Sequence, residues 1–210
     1  ELHNQQGERM KLRSTGKGPE LPVLPADEIH AFLSHIWVTG QDSCALIKQR
    51  LLSLLSPDAR IFRDVDDLND ISQLETCVAK SRCILLFISK GYFLSRNCLR
   101  EVSAAVEQAK PLVLVHEIDA NKGGVLGELR ADCPAALQPA VFEKDFPTIR
   151  WHRLKDLQLN ALISIASAFL RANQQDISGG GDSARYADHA STALYVKSAI
   201  TEIPLKLERP

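Results

Sequence analysis

From Cys83 to Ser89 the chain reads Cys-Ile-Leu-Leu-Phe-Ile-Ser, an apolar run without polar alternation, bounded by Arg82 and Lys90. It is too short for a buried helix and too uniform for a strand with one wet face. It fits a strand covered on both sides, as at the centre of a parallel sheet. Parallel neighbours have to be reached by crossover connections, usually helical. The flanking sequence supplies both. Ile29–Ser34 and Pro111–His116 are further short apolar strands, and Arg60–Arg63 reads as a brief one. In Gln41–Leu55, Cys44, Ile47, Leu51, Leu54 and Leu55 fall on one helical stripe, which Ser56-Pro57-Asp58 stops. Ile71–Lys80 is a second helix. Ser95 is placed to cap a third, running to about Ala109 with Cys98, Val102, Ala105 and Ala109 on one face. A loop with Gly123 and Gly124 leads to a short helix ending before Pro134. Ala140–Phe142 is expected as a weak fifth strand and Leu154–Leu170 as the last helix.

Alternating strands and helices with short connections predict an α/β sandwich, a parallel sheet with helices on both faces. Five strands give the flavodoxin-like doubly wound order 2-1-3-4-5. The domain is expected over residues 28–172. Residues 1–27 are rich in Gly, Pro, Lys and Gln without periodicity and read as a flexible leader. Residues 173–210 open with linker composition around Gly179-Gly180-Gly181. Thr192–Leu207 then alternates weakly, as if starting a further segment. The chain begins at Glu1 rather than Met and reads as an excerpt of a longer protein.

Composition excludes more than it assigns. The net charge of −1 gives no general attraction to nucleic acid or to anionic membrane. The apolar runs fall far short of the roughly 18 residues that span a bilayer, and no signal-peptide pattern opens the chain. The 5 cysteines are Cys44, Cys77, Cys83, Cys98 and Cys133, an odd number without a Cys-x-x-Cys pair. They read as reduced thiols of a cytoplasmic protein rather than as disulfides or zinc ligands.

The familiar chemistries of this winding fail at the residues that would perform them. A phospho-receiver domain needs a carboxylate ending its third strand, where Ile88-Ser89-Lys90 stands, and an acidic pair after the first, where Ser34-His35 stands. A dinucleotide fingerprint needs spaced glycines in His35–Gly40, which holds only Gly40. The run Ser14–Glu20 lacks the spacing of a phosphate loop. The acidic run Asp64, Asp66, Asp67 and Asp70 tempts a calcium assignment. An EF-hand loop begun at Asp64 would place Leu68 fifth and Asn69 where glycine is required. It reads instead as a solvated loop, and no metal is expected. His116, Glu117 and Asp119 cluster after the fourth strand and read as loop polarity.

Four segments in order carry a resemblance. Ala31–Asp42 is similar to the first strand and following turn of the TIR (Toll/interleukin-1 receptor) family, which works in innate immunity and cell death. Ile61–Leu68 resembles its second strand and the start of its chief contact loop. Ser81–Val102 resembles its third strand and the helix after it, and Leu112–Asp119 its fourth strand. The resemblance covers about residues 28–172.

It implies an intracellular signalling domain whose partners are other TIR domains, through homotypic self-association. In enzymatic members a glutamate on the third helix is required to cleave NAD+ at the nicotinamide–ribose bond. The matching residue is Glu101. A carboxylate beside the ribose would stabilise the cationic, oxocarbenium-like sugar. On helical spacing Glu101 lies off the apolar stripe and is expected to face a cleft. Ser34, His35 and Trp37 are expected to line the pocket, with Asp64 and Ser95 at its rim. NAD+ would be the substrate, with no cofactor. The other reading is a non-catalytic adaptor, binding through Val65, Asp66, Asp67, Leu68, Asn69 and Asp70 and through the helix from Ser95. Active relatives often carry Trp where this chain has Asn97, and an aromatic-Arg pair where it has His35-Ile36.

Overall fold

The computed structural model describes residues 9–63, 73–143, 147–174 and 194–196. The contact loop read from Val65 to Asp70, and Asp64 beside it, lie outside the described residues.

The core is a five-stranded, all-parallel sheet. In chain order its strands are β2 (Ala31–His35), β3 (Ile61–Arg63), β4 (Ile84–Ile88), β5 (Leu112–Glu117) and β6 (Ile149–Trp151). Across the sheet they run β3-β2-β4-β5-β6, which is the expected 2-1-3-4-5 winding. The register sets Ser34 beside Leu86 and Phe87 beside both His35 and Val115. Every residue of β2, β4 and β5 is buried, as strands covered on both faces require.

Alternation along the strands divides the interior in two. Leu33, Leu85, Phe87, Val113 and Val115 pack under α1 (Trp37–Leu54) and α6 (Lys155–Gln174). Phe32, Ile84, Leu86, Ile88, Leu112 and Leu114 pack under the opposite layer. That layer holds α2 (Leu74–Lys80), α3 (Arg96–Glu107), α4 (Leu126–Asp132) and α5 (Gln138–Phe142). Beyond this sheet, β1 (Met10–Leu12) pairs antiparallel with β7 (Leu194–Val196), and both Met10 and Leu194 are buried in the α1/α6 half of the core.

Helix α1 begins four residues earlier than its apolar stripe indicated, at Trp37. Gly40, which reads as a turn residue in the sequence, belongs to the buried face. A Cβ there would stand 3.1 Å from His35 Cβ and 3.2 Å from Phe87 Cδ1, so its absence lets the helix sit close on the sheet. Ala140–Phe142 is helical and forms the end of α5. The fifth strand is Ile149–Trp151, which lies along β5 with Trp151 beside Glu117. Three apolar residues do not reveal their own periodicity, and Pro139 in the first turn favours the helix. Helix α3 stops where expected. Ala109 adopts a left-handed φ of 50°, and the Ala109 and Lys110 N–H groups donate back to Val106 and Ala105 at 3.0 and 2.9 Å.

Residues 22–26 are strapped to the edge of the sheet. The Arg60 guanidinium donates to the carbonyls of Leu24, Pro25 and Ala26 at 2.7, 2.7 and 2.9 Å. Nδ1 of the buried His30 accepts from the Arg60 backbone N–H, and Nε2 lies 3.0 Å from the Pro22 carbonyl. The ring is therefore neutral, with its proton on Nε2. Burial, followed by the nearby Arg60 and Arg82, holds its pKa below the usual value, while the Pro22 carbonyl pulls the other way. An unfolded His30 binds a proton more readily than a folded one. Its contribution to stability is complete above about pH 6.5 and is lost as the pH falls toward the folded value. Urea midpoints are expected to drop between pH 7.5 and pH 5, and His30→Gln to make that drop smaller. An equal drop in the variant would assign the pH dependence to other groups.

Candidate functional site

Glu101 lies on α3 among the residues the helix turns inward, with Cys98, Val102, Ala104 and Ala105. It is 1% exposed, so it is neither a rim carboxylate nor a solvated one. The sequence places it off the apolar stripe and facing a cleft; it is enclosed instead, because it has a polar partner inside the layer. The Ser34 hydroxyl, near the carboxyl end of β2, donates to Glu101 Oε2 at 2.5 Å. Ser34 shares the face of β2 that carries Phe32, and this face looks toward α3. Sequence alternation therefore aims the serine at the glutamate.

A third member is absent from the sequence-derived set. The buried Tyr92 lies in the 3₁₀ turn Tyr92–Leu94 between β4 and α3, and its hydroxyl bonds Ser34 Oγ. Ser34 has one proton, which is committed to Glu101, so Tyr92 is the donor. Burial foremost, then Cys98 and Glu101, raises the Tyr92 pKa well above the phenol value, so it stays protonated and able to donate. The only sequence signal was a tyrosine in an otherwise apolar turn. A buried phenol needs a partner, and an aligned serine one strand away provides it.

The other expected pocket residues diverge. His35 is buried on the opposite face of the sheet, against Gly40 of α1, with Nδ1 3.4 Å from the Leu33 carbonyl. Consecutive strand residues point to opposite faces, so Ser34 and His35 do not line one pocket. Trp37 opens α1 and is 54% exposed. Ser95 is the N-cap of α3, its hydroxyl accepting the Cys98 N–H at 3.4 Å. Of the expected set, the structure joins Ser34 and Glu101.

Two further features border α3 and the sheet end. A groove of about 490 Å³ runs along the outer side of α3, between Leu94, Leu99 and Arg96 and the Glu75–Arg100 ion pair, whose bonds measure 2.7 and 2.8 Å. Glu101 is not among its lining residues. At the carboxyl end of β5, Glu117 is fully buried. It accepts from Ser43 Oγ of α1 at 3.1 Å, from the Arg153 guanidinium at 2.9 Å and from the Asp119 N–H at 3.0 Å. Gly123 closes over it, since a Cβ there would fall 1.8 Å from the Glu117 carbonyl oxygen. What reads in the sequence as loop polarity is an ion-paired joint between β5, α1 and the chain after β6.

Among the described residues no group of three or more His, Cys, Asp or Glu could hold a metal ion, and no helix is long and apolar enough to cross a membrane. The cysteines are all free, and burial pushes the Cys83 thiol up to about 12 and the Cys133 thiol up to about 11.

No protein-family model and no curated protein matches the sequence. Solved structures do. A metazoan TIR-STING receptor from C. gigas in complex with 2',3'-cGAMP is 18% identical, over 70% of this chain and 42% of that one, with a TM-score of 0.48. Another structure of a TIR-STING receptor from C. gigas is 17% identical, over 70% and 43%, with a TM-score of 0.43. The TIR domains of the activated Roq1 resistosome, which directly recognises the pathogen effector XopQ, are 18% identical over 78% and 93%, with a TM-score of 0.39. This chain spans less than half the length of the two TIR-STING chains it is similar to.

Proposed function

We propose that this chain is a TIR-type signalling domain that cleaves NAD+ at the nicotinamide–ribose bond, with Glu101 as the essential carboxylate, when copies of it associate. One observation carries the reading. Glu101 is turned in toward the carboxyl end of the sheet and held by Ser34 at the end of β2, rather than standing in solvent. Ligands of doubly wound sheets bind at that edge. A carboxylate fixed there and bound to a hydroxyl is oriented before the sugar cation forms, which is the condition for electrostatic stabilisation of a transition state. Loss of nicotinamide leaves positive charge on the ribose, and a water or an internal nucleophile of the substrate then completes hydrolysis or cyclisation.

The adaptor reading also has an observation in its favour. Glu101 is enclosed in the single chain, whereas the outer side of α3 offers an open groove beside the 73% exposed Leu94. An apolar side chain presented beside Arg96 suits a protein partner. In that case the domain recruits other TIR domains in signal transduction without chemistry.

The two readings separate in one assay. Protein clustered on beads is expected to release nicotinamide from NAD+, and dilute protein far less, because tethering raises the effective concentration of neighbouring copies. Light scattering should show concentration-dependent self-association. Association without nicotinamide release at any density would leave the adaptor, and a strict monomer at high concentration would remove the homotypic model.

A further inference from the structure

We propose that Tyr92 is a positioning residue for this reaction, fixing the Glu101 carboxylate through the hydroxyl of Ser34; the proposal rests on the NAD+-cleavage reading. The chain of donors runs one way. Tyr92 Oη–H donates to Ser34 Oγ, and Ser34 Oγ–H donates to Glu101 Oε2. A serine hydroxyl alone rotates freely and can point its proton at any acceptor nearby. Once a phenol occupies its acceptor side, its proton has one remaining direction, toward the carboxylate. Each bond also polarises the next, so the Ser34–Glu101 bond is stronger with Tyr92 behind it.

The phenol itself has little freedom. Its turn is closed by the Tyr92 N–H donating to the Ser89 carbonyl at 2.9 Å, and its ring meets Phe93 edge-on at 4.9 Å between centroids. The three residues come from β2, from the turn after β4 and from α3, so the two bonds of the relay link the glutamate-bearing helix to β2 and, through Ser34, to the turn after β4. A polar chain with all three side chains buried is not needed to fill that volume, which apolar side chains fill elsewhere in the same layer. Direction is what the hydroxyls add.

Tyr92→Phe removes the donor and keeps the ring. With clustered full chain, kcat for nicotinamide release is expected to fall about 5- to 10-fold, the worth of roughly one hydrogen bond, with KM unchanged. In the Glu101→Gln background the same substitution should cause no further fall. Unfolding in urea supplies a second, activity-free readout. The effects of Tyr92→Phe and Ser34→Ala on the unfolding constant should be non-additive by about 3-fold or more, as for side chains in direct contact. Additive unfolding effects would show that the bond does not exist. Non-additive unfolding with unchanged kcat would make Tyr92 purely structural and overturn the proposal while NAD+ cleavage stands. Wild-type protein without nicotinamide release would instead overturn the cleavage reading, and Tyr92's role in it.

Discussion

Glu101→Gln is expected to lower nicotinamide release from NAD+ by roughly 100-fold or more, because one preorganised electrostatic contact to a developing charge is worth about 3–4 kcal/mol. The substitution keeps the size of the side chain and an oxygen to accept the Ser34 proton. It removes the negative charge that opposes the ribose cation. Burial sharpens the comparison with bulkier changes. Because Glu101 is 1% exposed and accepts from Ser34, Glu101→Leu would leave the buried Ser34 hydroxyl proton without that acceptor, while Tyr92 would still donate to Ser34 Oγ. That costs about 1–3 kcal/mol of stability. Gln avoids most of this, so a loss of rate in a variant whose urea midpoint stays near wild type is the expected pattern. A rate that survives Glu101→Gln would exclude Glu101 from the chemistry, whatever the fold.

The sequence made the sheet legible for a physical reason. Strands buried on both faces have to be apolar throughout, and Cys83–Ser89 and Pro111–His116 announce themselves that way. Short edge elements lack that signature. Ile149–Trp151 alternates over three residues only, and Ala140–Phe142 looks equally apolar in either state, so sequence pattern alone favours the wrong segment for the fifth strand. At the site, helical spacing puts Glu101 off the apolar stripe and facing a cleft, whereas the side chain is enclosed. That depends on whether a partner exists across the layer, and Ser34 lies 67 residues away in sequence. Tyr92 was invisible for the same reason. The grouping of Ser34 with His35 came from adjacency along the chain, which in a strand means opposite faces.

Phe87→Ala is expected to destabilise the domain by about 3–5 kcal/mol, through lost burial and the cavity it leaves. Phe87 sits at the middle of the sheet with no exposure, between β2 and β5, and meets the Trp151 ring edge-on at 6.5 Å between centroids. Gly40 brings α1 down onto the same ring, so the layer above is seated on this side chain and cannot readily fill the gap. Phe87→Leu, which fills part of that volume, should cost markedly less. Urea titration would show both as shifts in midpoint at constant slope. A cost below about 1 kcal/mol for Phe87→Ala would mean that the strand is not covered on its α1/α6 face, contrary to the doubly wound architecture. The same variant separates the two faces functionally. Phe87 points toward α1 and α6, whereas Ser34 and Glu101 meet on the α3 side. Below its own unfolding temperature, Phe87→Ala should therefore retain the NAD+ chemistry that Glu101→Gln removes.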